Sequence, residues 1–182
     1  MPGHLTKEEI IPQLIAAAKS LSSFGNSVNN ELFFYQPAGK WSVAQNITHL
    51  IIATKSTIPA FNFPKFLIRW YAGKPNRSSK TYDELVAKYK LKLKLEQGGR
   101  ASGRFIPKQI TQDENKEKIM QTLSTSIHQL AKIIHKKWKD EQLDHYIAPH
   151  PLLGKITLRK LCYFTIYHTN HHFLICKERH KN

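Results

Sequence analysis

Long apolar runs, acidic side chains and cysteines are all scarce in this sequence, and each scarcity excludes something. No uninterrupted apolar stretch approaches the roughly 18–20 residues a membrane-spanning helix needs. The start, MPGHLTKEEII, has no charged segment followed by an apolar one, so no secretory signal is read and the cytoplasm is the expected location. Cys162 and Cys176 stand 14 residues apart in one helical segment, about 21 Å at ~1.5 Å per residue, so they cannot pair while that helix is intact. Buried thiols of a reducing compartment are the expectation. Glycine is sparse too, and its one cluster, GGRASG, lacks the GxxxxGK[ST] spacing and a preceding strand, which excludes a phosphate loop.

Acidic residues number 13 against 28 Lys and Arg, giving a formal charge of +15. Such an excess permits attraction to nucleic acid, anionic lipid or acidic small molecules. The lysines, however, are scattered through KYKLKLKLEQ, IIHKKWKD and KERHKN and compose no recognised nucleic-acid motif, so a solvated basic surface is the favoured reading.

What is present is helical periodicity. At 182 residues and 41% hydrophobic content, residues 1–182 read as a single domain with its own core. Thr6 and Glu9 make a capping box that opens a helix over 6–32, with a kink or delayed start expected at Pro12. Pro37 and Gly39 break the chain before Ser42 and Gln45 form a second capping box, and Pro59 and Pro64 end or bend that helix beyond Thr57. Residues 69–80 read as a basic loop. Thr81 with Glu84 opens 81–95, where strand and helix compete and helix is preferred from the spacing of Tyr82, Leu85 and Tyr89. Residues 96–112 read as a flexible connection, and a third long helix spans 113–138. The stretch DEQLDHYIAPHPLLGK reads as another connection, and Thr157 opens a last helix to about Arg179. Four long helices and hardly any strand signal predict an all-α, four-helix bundle.

In the last helix Leu161, Thr165, His168, His172 and Ile175 step by four, three, four and three, the inward seam of a bundle helix. His168 and His172 thus share one face a turn apart, a spacing at which two imidazoles can bind one metal ion. A third ligand must come from a facing helix, and His49, embedded in QNITHLII, is the best candidate. His171 falls off the seam, and His150, before Pro151, is placed at the mouth of a pocket. Gln45, one turn before His49, could orient a water in the same cavity, although its reciprocal cap with Ser42 is the favoured role. Trp41 is expected to anchor the helix start. No carboxylate accompanies the site: Asp144 and Glu178 are nearest in sequence and neither lies on the seam.

The pattern PAGKWSVAQNITHL, followed far downstream by HPLLGKITLRKLCYFTIYHTNHH, resembles the DinB/YfiT-like superfamily of metal-dependent helical proteins. That resemblance implies the metal ligands His49, His168 and His172, a divalent ion such as nickel or zinc, and a four-helix bundle. It further implies a small-molecule substrate, with hydrolase or small-thiol S-transferase chemistry. Where many members follow the histidine pair with a small or basic residue, Gly and Gln, this chain has Phe173, Leu174 and Ile175. A homodimer is the assembly expected for such a bundle. The competing class is a basic module for nucleic acid or an acidic partner, which would bind with strong salt dependence.

Overall fold

The computed structural model describes residues 4–95 and 103–179. Helix α1 (Lys7–Ser27) starts on the expected capping box: the Thr6 hydroxyl accepts from the Glu9 N–H and the Glu9 carboxylate accepts from the Thr6 N–H. The helix begins five residues before Pro12 and carries it inside the second turn. The expected continuation to residue 32 is interrupted, because Asn29 caps a new short helix, α2 (Asn30–Phe34), by accepting from the Leu32 N–H. An Asn side chain competes with the helical ladder for such donors, and here it wins.

Helix α3 (Val43–Asn62) runs through Pro59 and stops just short of Pro64, which begins α4 (Lys65–Ala72). Residues 69–72, read from the sequence as loop, are therefore helical, and the turn comes at Gly73 with φ 87°. The ambiguous lysine-rich segment is a helix, α5 (Tyr82–Leu95), on the Thr81–Glu84 box. The connection expected over 96–112 lies partly outside the described residues, and Gly103–Phe105 forms a single 3-10 turn. Helix α6 (Lys116–Lys137) starts on Asn115, and a short α7 (Gln142–His145) follows.

The predicted connection before the last helix contains an antiparallel hairpin, β1 (Ile147–His150) and β2 (Gly154–Thr157), with Ile147 opposite Thr157 and His150 opposite Gly154. Its four-residue strands, with Pro149 inside one, carry too little alternation to be read from sequence. Helix α8 (Leu158–Arg179) completes the chain. Among the described residues no helix is long and apolar enough to cross a membrane.

The four long helices form the bundle: α1 packs on α6 and α8, and α3 packs on the same two. α1 and α3, and likewise α6 and α8, thus face each other across the diagonals, while α3 and α6 are neighbours. Core composition fixes their directions. One apolar cluster joins Ile10 and Leu14 of α1, Phe61 of α3, Leu130 and Ile134 of α6, and Leu161 and Tyr163 of α8. The other joins Leu21 of α1, Val43 and Ile47 of α3, Leu123 of α6, and Cys176 of α8. α1 and α8 therefore run one way, α3 and α6 the other. Where α1 meets α6, a Cβ on Gly25 would lie 2.7 Å from the Met120 methyl carbon, so the missing side chain permits the close approach.

Arg159 locks the hairpin end of the bundle. Its guanidinium, 2% exposed, donates to Asp144 at 3.0 and 2.9 Å, to Asp140 at 3.1 Å and to the Leu5 carbonyl. Asp144, one of the two carboxylates nearest the histidines in sequence, is committed to this lock and to the Ser79 hydroxyl.

Candidate metal centre

Between the two apolar clusters the facing sides of α3 and α8 bury polar groups: Asn46, His49 and Thr54 on one, Thr165, His168, Thr169 and His172 on the other. His168 Nε2 lies 3.0 Å from His49 Nε2 and 3.1 Å from His172 Nε2. One nitrogen from each ring falls within 4.8 Å of the others, and these three form the one such group among the described residues.

The outward partners determine which nitrogens carry hydrogen. His49 Nδ1 sits 2.7 Å from the Phe105 carbonyl, which can only accept, so Nδ1 is the N–H and Nε2 is a bare lone pair. Asn46 donates its amide N–H groups to the Ser42 carbonyl at 2.7 Å and the Trp41 carbonyl at 3.3 Å, which turns its Oδ1 toward His172. At 2.7 Å that oxygen accepts from His172 Nδ1–H, leaving His172 Nε2 bare as well. Two buried lone pairs therefore point at His168 Nε2, whose ring stacks on Phe164 with centroids 4.8 Å apart. A single N–H on His168 satisfies one of them well; the other is left without a donor. An unmet buried acceptor costs about 1–3 kcal/mol. A cation at the convergence point resolves that conflict, and orienting a ligating imidazole through its other nitrogen is how metal sites are built.

Burial acts in the same direction. It pushes His168 and His172 well below the usual imidazole range, with neighbouring imidazoles adding to the effect. His49 is also lowered by burial, against the opposing pull of the Phe105 carbonyl. Neutral imidazole is the ligating form.

Trp41 covers the group, stacked on His172 at 6.3 Å and tilted against His49 at 5.1 Å. Gln45 takes the cap role favoured for it from the sequence: its side-chain oxygen accepts from the Ser42 N–H at 2.9 Å, the reciprocal half of the cap. His171 is half-buried, stacks on Tyr167 and lines the adjoining cavity. His150 is more than a mouth residue, since it is 8% exposed and its Nδ1 accepts from the Leu152 and Leu153 N–H groups at 3.2 and 3.1 Å. Burial lowers its pKa to about 4. Sequence reasoning missed Asn46 and the Phe105 carbonyl. Asn46 lies three residues before His49 and so shares its face, a signal that was available; Phe105, 56 residues away, offered none.

A bundle with three convergent imidazoles beside a cavity defines the class: a helical protein with a histidine site of metal-binding chemistry. The DinB superfamily model matches residues 13–176, and the chain belongs to that superfamily. Among solved structures, the fold is similar to that of YfiT from Bacillus subtilis, described as a probable metal-dependent hydrolase with an unusual four-helix bundle topology. The TM-score is 0.54 at 16% identity, covering 94% of this chain and 84% of that one. No curated protein matches the sequence.

Proposed function

We propose that this chain is a divalent-metal-dependent enzyme acting on a small molecule, with His49, His168 and His172 as the ligands. The observation that carries the reading is the convergence of three buried ring nitrogens, two of them bare lone pairs. Zinc and nickel both suit imidazole ligation. Three protein ligands leave coordination positions open, and the chemistry a divalent ion supplies there is Lewis acidity toward water, a carbonyl or a thiolate. Hydrolysis and small-thiol transfer are the two reactions that fit, and the similar YfiT fold, from a protein described as a probable metal-dependent hydrolase, favours the first.

The chain's own residues orient and exclude. Phe105 and Asn46 fix the His49 and His172 rings, and Trp41 shields them from bulk water. Among the described residues lining the cavity none is Asp or Glu, so proton transfer falls to imidazole. We assign it to His171: it lines the cavity, packs edge-on against His172 with ring centroids 5.4 Å apart, and has its pKa lowered by burial and by the Lys90 charge against the pull of Glu178. Two buried cysteines suit a reducing compartment such as the cytoplasm.

The test is metal content by mass spectrometry on tag-free protein purified without chelators or immobilised metal. About one ion per chain is expected, absent from His49→Ala and His168→Ala and lost only as pH falls well below the ordinary imidazole range, because burial holds these rings neutral. Folded variants that keep full occupancy, or wild-type protein that takes up neither zinc nor nickel, would overturn the assignment.

A further inference from the structure

The histidines open onto a cavity of about 1080 Å³, at the upper end of the range typical for small-molecule sites. Its two ends differ in chemistry. At the histidine end stand three cations. Arg179 donates to the Trp41 carbonyl at 3.1 Å, Lys40 precedes Trp41 in the chain, and Arg104 precedes the Phe105 whose carbonyl holds His49. Glu178 reaches His171 electrostatically but does not line the cavity, so nothing acidic among the described lining residues offsets these charges.

The other end is apolar and unfilled. Phe63, Leu67, Trp70 and Tyr71, on and beside α4, line it. Trp70 is 84% and Tyr71 74% exposed, which is unusual for aromatic side chains set contiguously on one short helix. Contiguous exposed apolar surface of this kind marks a binding site. Between the ends, His150 lines the wall with its Nδ1 locked as an acceptor by two backbone N–H groups, so its Nε2 carries the hydrogen and has no protein acceptor among the described contacts.

We infer that the cavity takes an anionic amphiphile, with a carboxylate-type head among Lys40, Arg104 and Arg179 beside the histidines and an apolar tail lying toward Trp70 and Tyr71. This names the substrate class of the proposed enzyme and rests on that reading. The head gains from uncompensated positive charge, which also steers it inward. The tail covers the aromatic rim. The His150 Nε2–H meets the polar group that joins head to tail.

The experiment is calorimetric titration of the full chain, metal-free and zinc-loaded, with hexanoate, octanoate and decanoate, and with decanol and decyltrimethylammonium as charge controls. Affinity is expected to rise about fourfold per added methylene. Decanoate should bind about tenfold or more tightly than either control at low salt. Lys40→Gln with Arg104→Gln, both exposed positions, should remove the preference for decanoate over decanol and leave the length dependence intact. Trp70→Ala should flatten the length dependence alone. Equal affinity across the chain lengths, or a cation preferred to the carboxylate, would overturn the inference, including in protein that takes up zinc normally. Length-dependent carboxylate binding by protein that takes up no zinc would uphold the ligand class and sink the metal reading separately.

Discussion

His150 ties the hairpin to pH in a way that can be worked through. Its Nδ1 lone pair accepts from both Leu152 and Leu153 N–H, so a proton there breaks two hydrogen bonds and charges a ring packed on Phe164 and Tyr89. Burial lowers the folded pKa from 6.5 to about 4. Because the folded value lies below the unfolded one, the unfolded chain binds more protons between them. The stabilisation is complete above about pH 6.5 and is lost as pH falls toward 4. A shift of about 2.5 units corresponds to at most about 3 kcal/mol, of which roughly 2 kcal/mol is gone at pH 4.5. The perturbation is His150→Asn, whose side-chain oxygen can accept from the same two N–H groups but does not titrate. Urea unfolding of metal-free protein should show wild type ahead of the variant at pH 7, by about 1–2 kcal/mol of lost ring packing. At pH 4.5 that margin should vanish or reverse. Carboxylates and the other histidines titrate in both proteins, so the change in the difference isolates His150. An unchanged margin at the two pH values would refute the reasoning.

Two further outcomes follow from hydrogen bonds seen in the structure. Asn46→Ala removes the acceptor that orients His172, and zinc affinity measured against a competing chelator should fall about 10–100-fold with the fold intact; unchanged affinity would mean that the ring needs no such partner. Arg159→Leu leaves Asp140 and Asp144 without their buried partner and frees the Leu5 carbonyl, so stability by urea unfolding should drop by about 3 kcal/mol, and a loss under 1 kcal/mol would contradict the lock described for the hairpin end.

How far the sequence was legible differs from element to element, for physical reasons. The capping boxes at Thr6, Ser42 and Thr81 were readable because they depend on residues three apart, and the observed hydrogen bonds are those the pattern requires. His168 and His172 were readable from a seam that local periodicity defines. The interruption at Asn29 was not, because an apolar stripe continues through Val28 while a single cap decides the local path. The hairpin was hidden by its shortness and its proline. The candidate site was legible as a cluster of three histidines and illegible in what orients them: the Phe105 carbonyl has no side-chain signature, and the contact of Asn46 exists only once α8 is packed against α3.

That packing carries the last step. His49 lies six residues from the start of α3, about 9 Å along its axis, and His172 lies seven from the end of α8, about 10 Å. Antiparallel pairing, with Val43 and Cys176 in one apolar cluster, sets those two at nearly the same height and His168 about one turn further in. A parallel pair with matched ends would put His49 level with Phe164, about 6 Å short of His168 and 12 Å short of His172. The long excursion through α4, α5 and α6 supplies the chain length that lets α8 come back beside α3 in the opposite direction. The same excursion delivers Phe105 to His49 and the α4 aromatics to the cavity rim, so the connection that obscures the bundle's order in the sequence also furnishes the walls of its site.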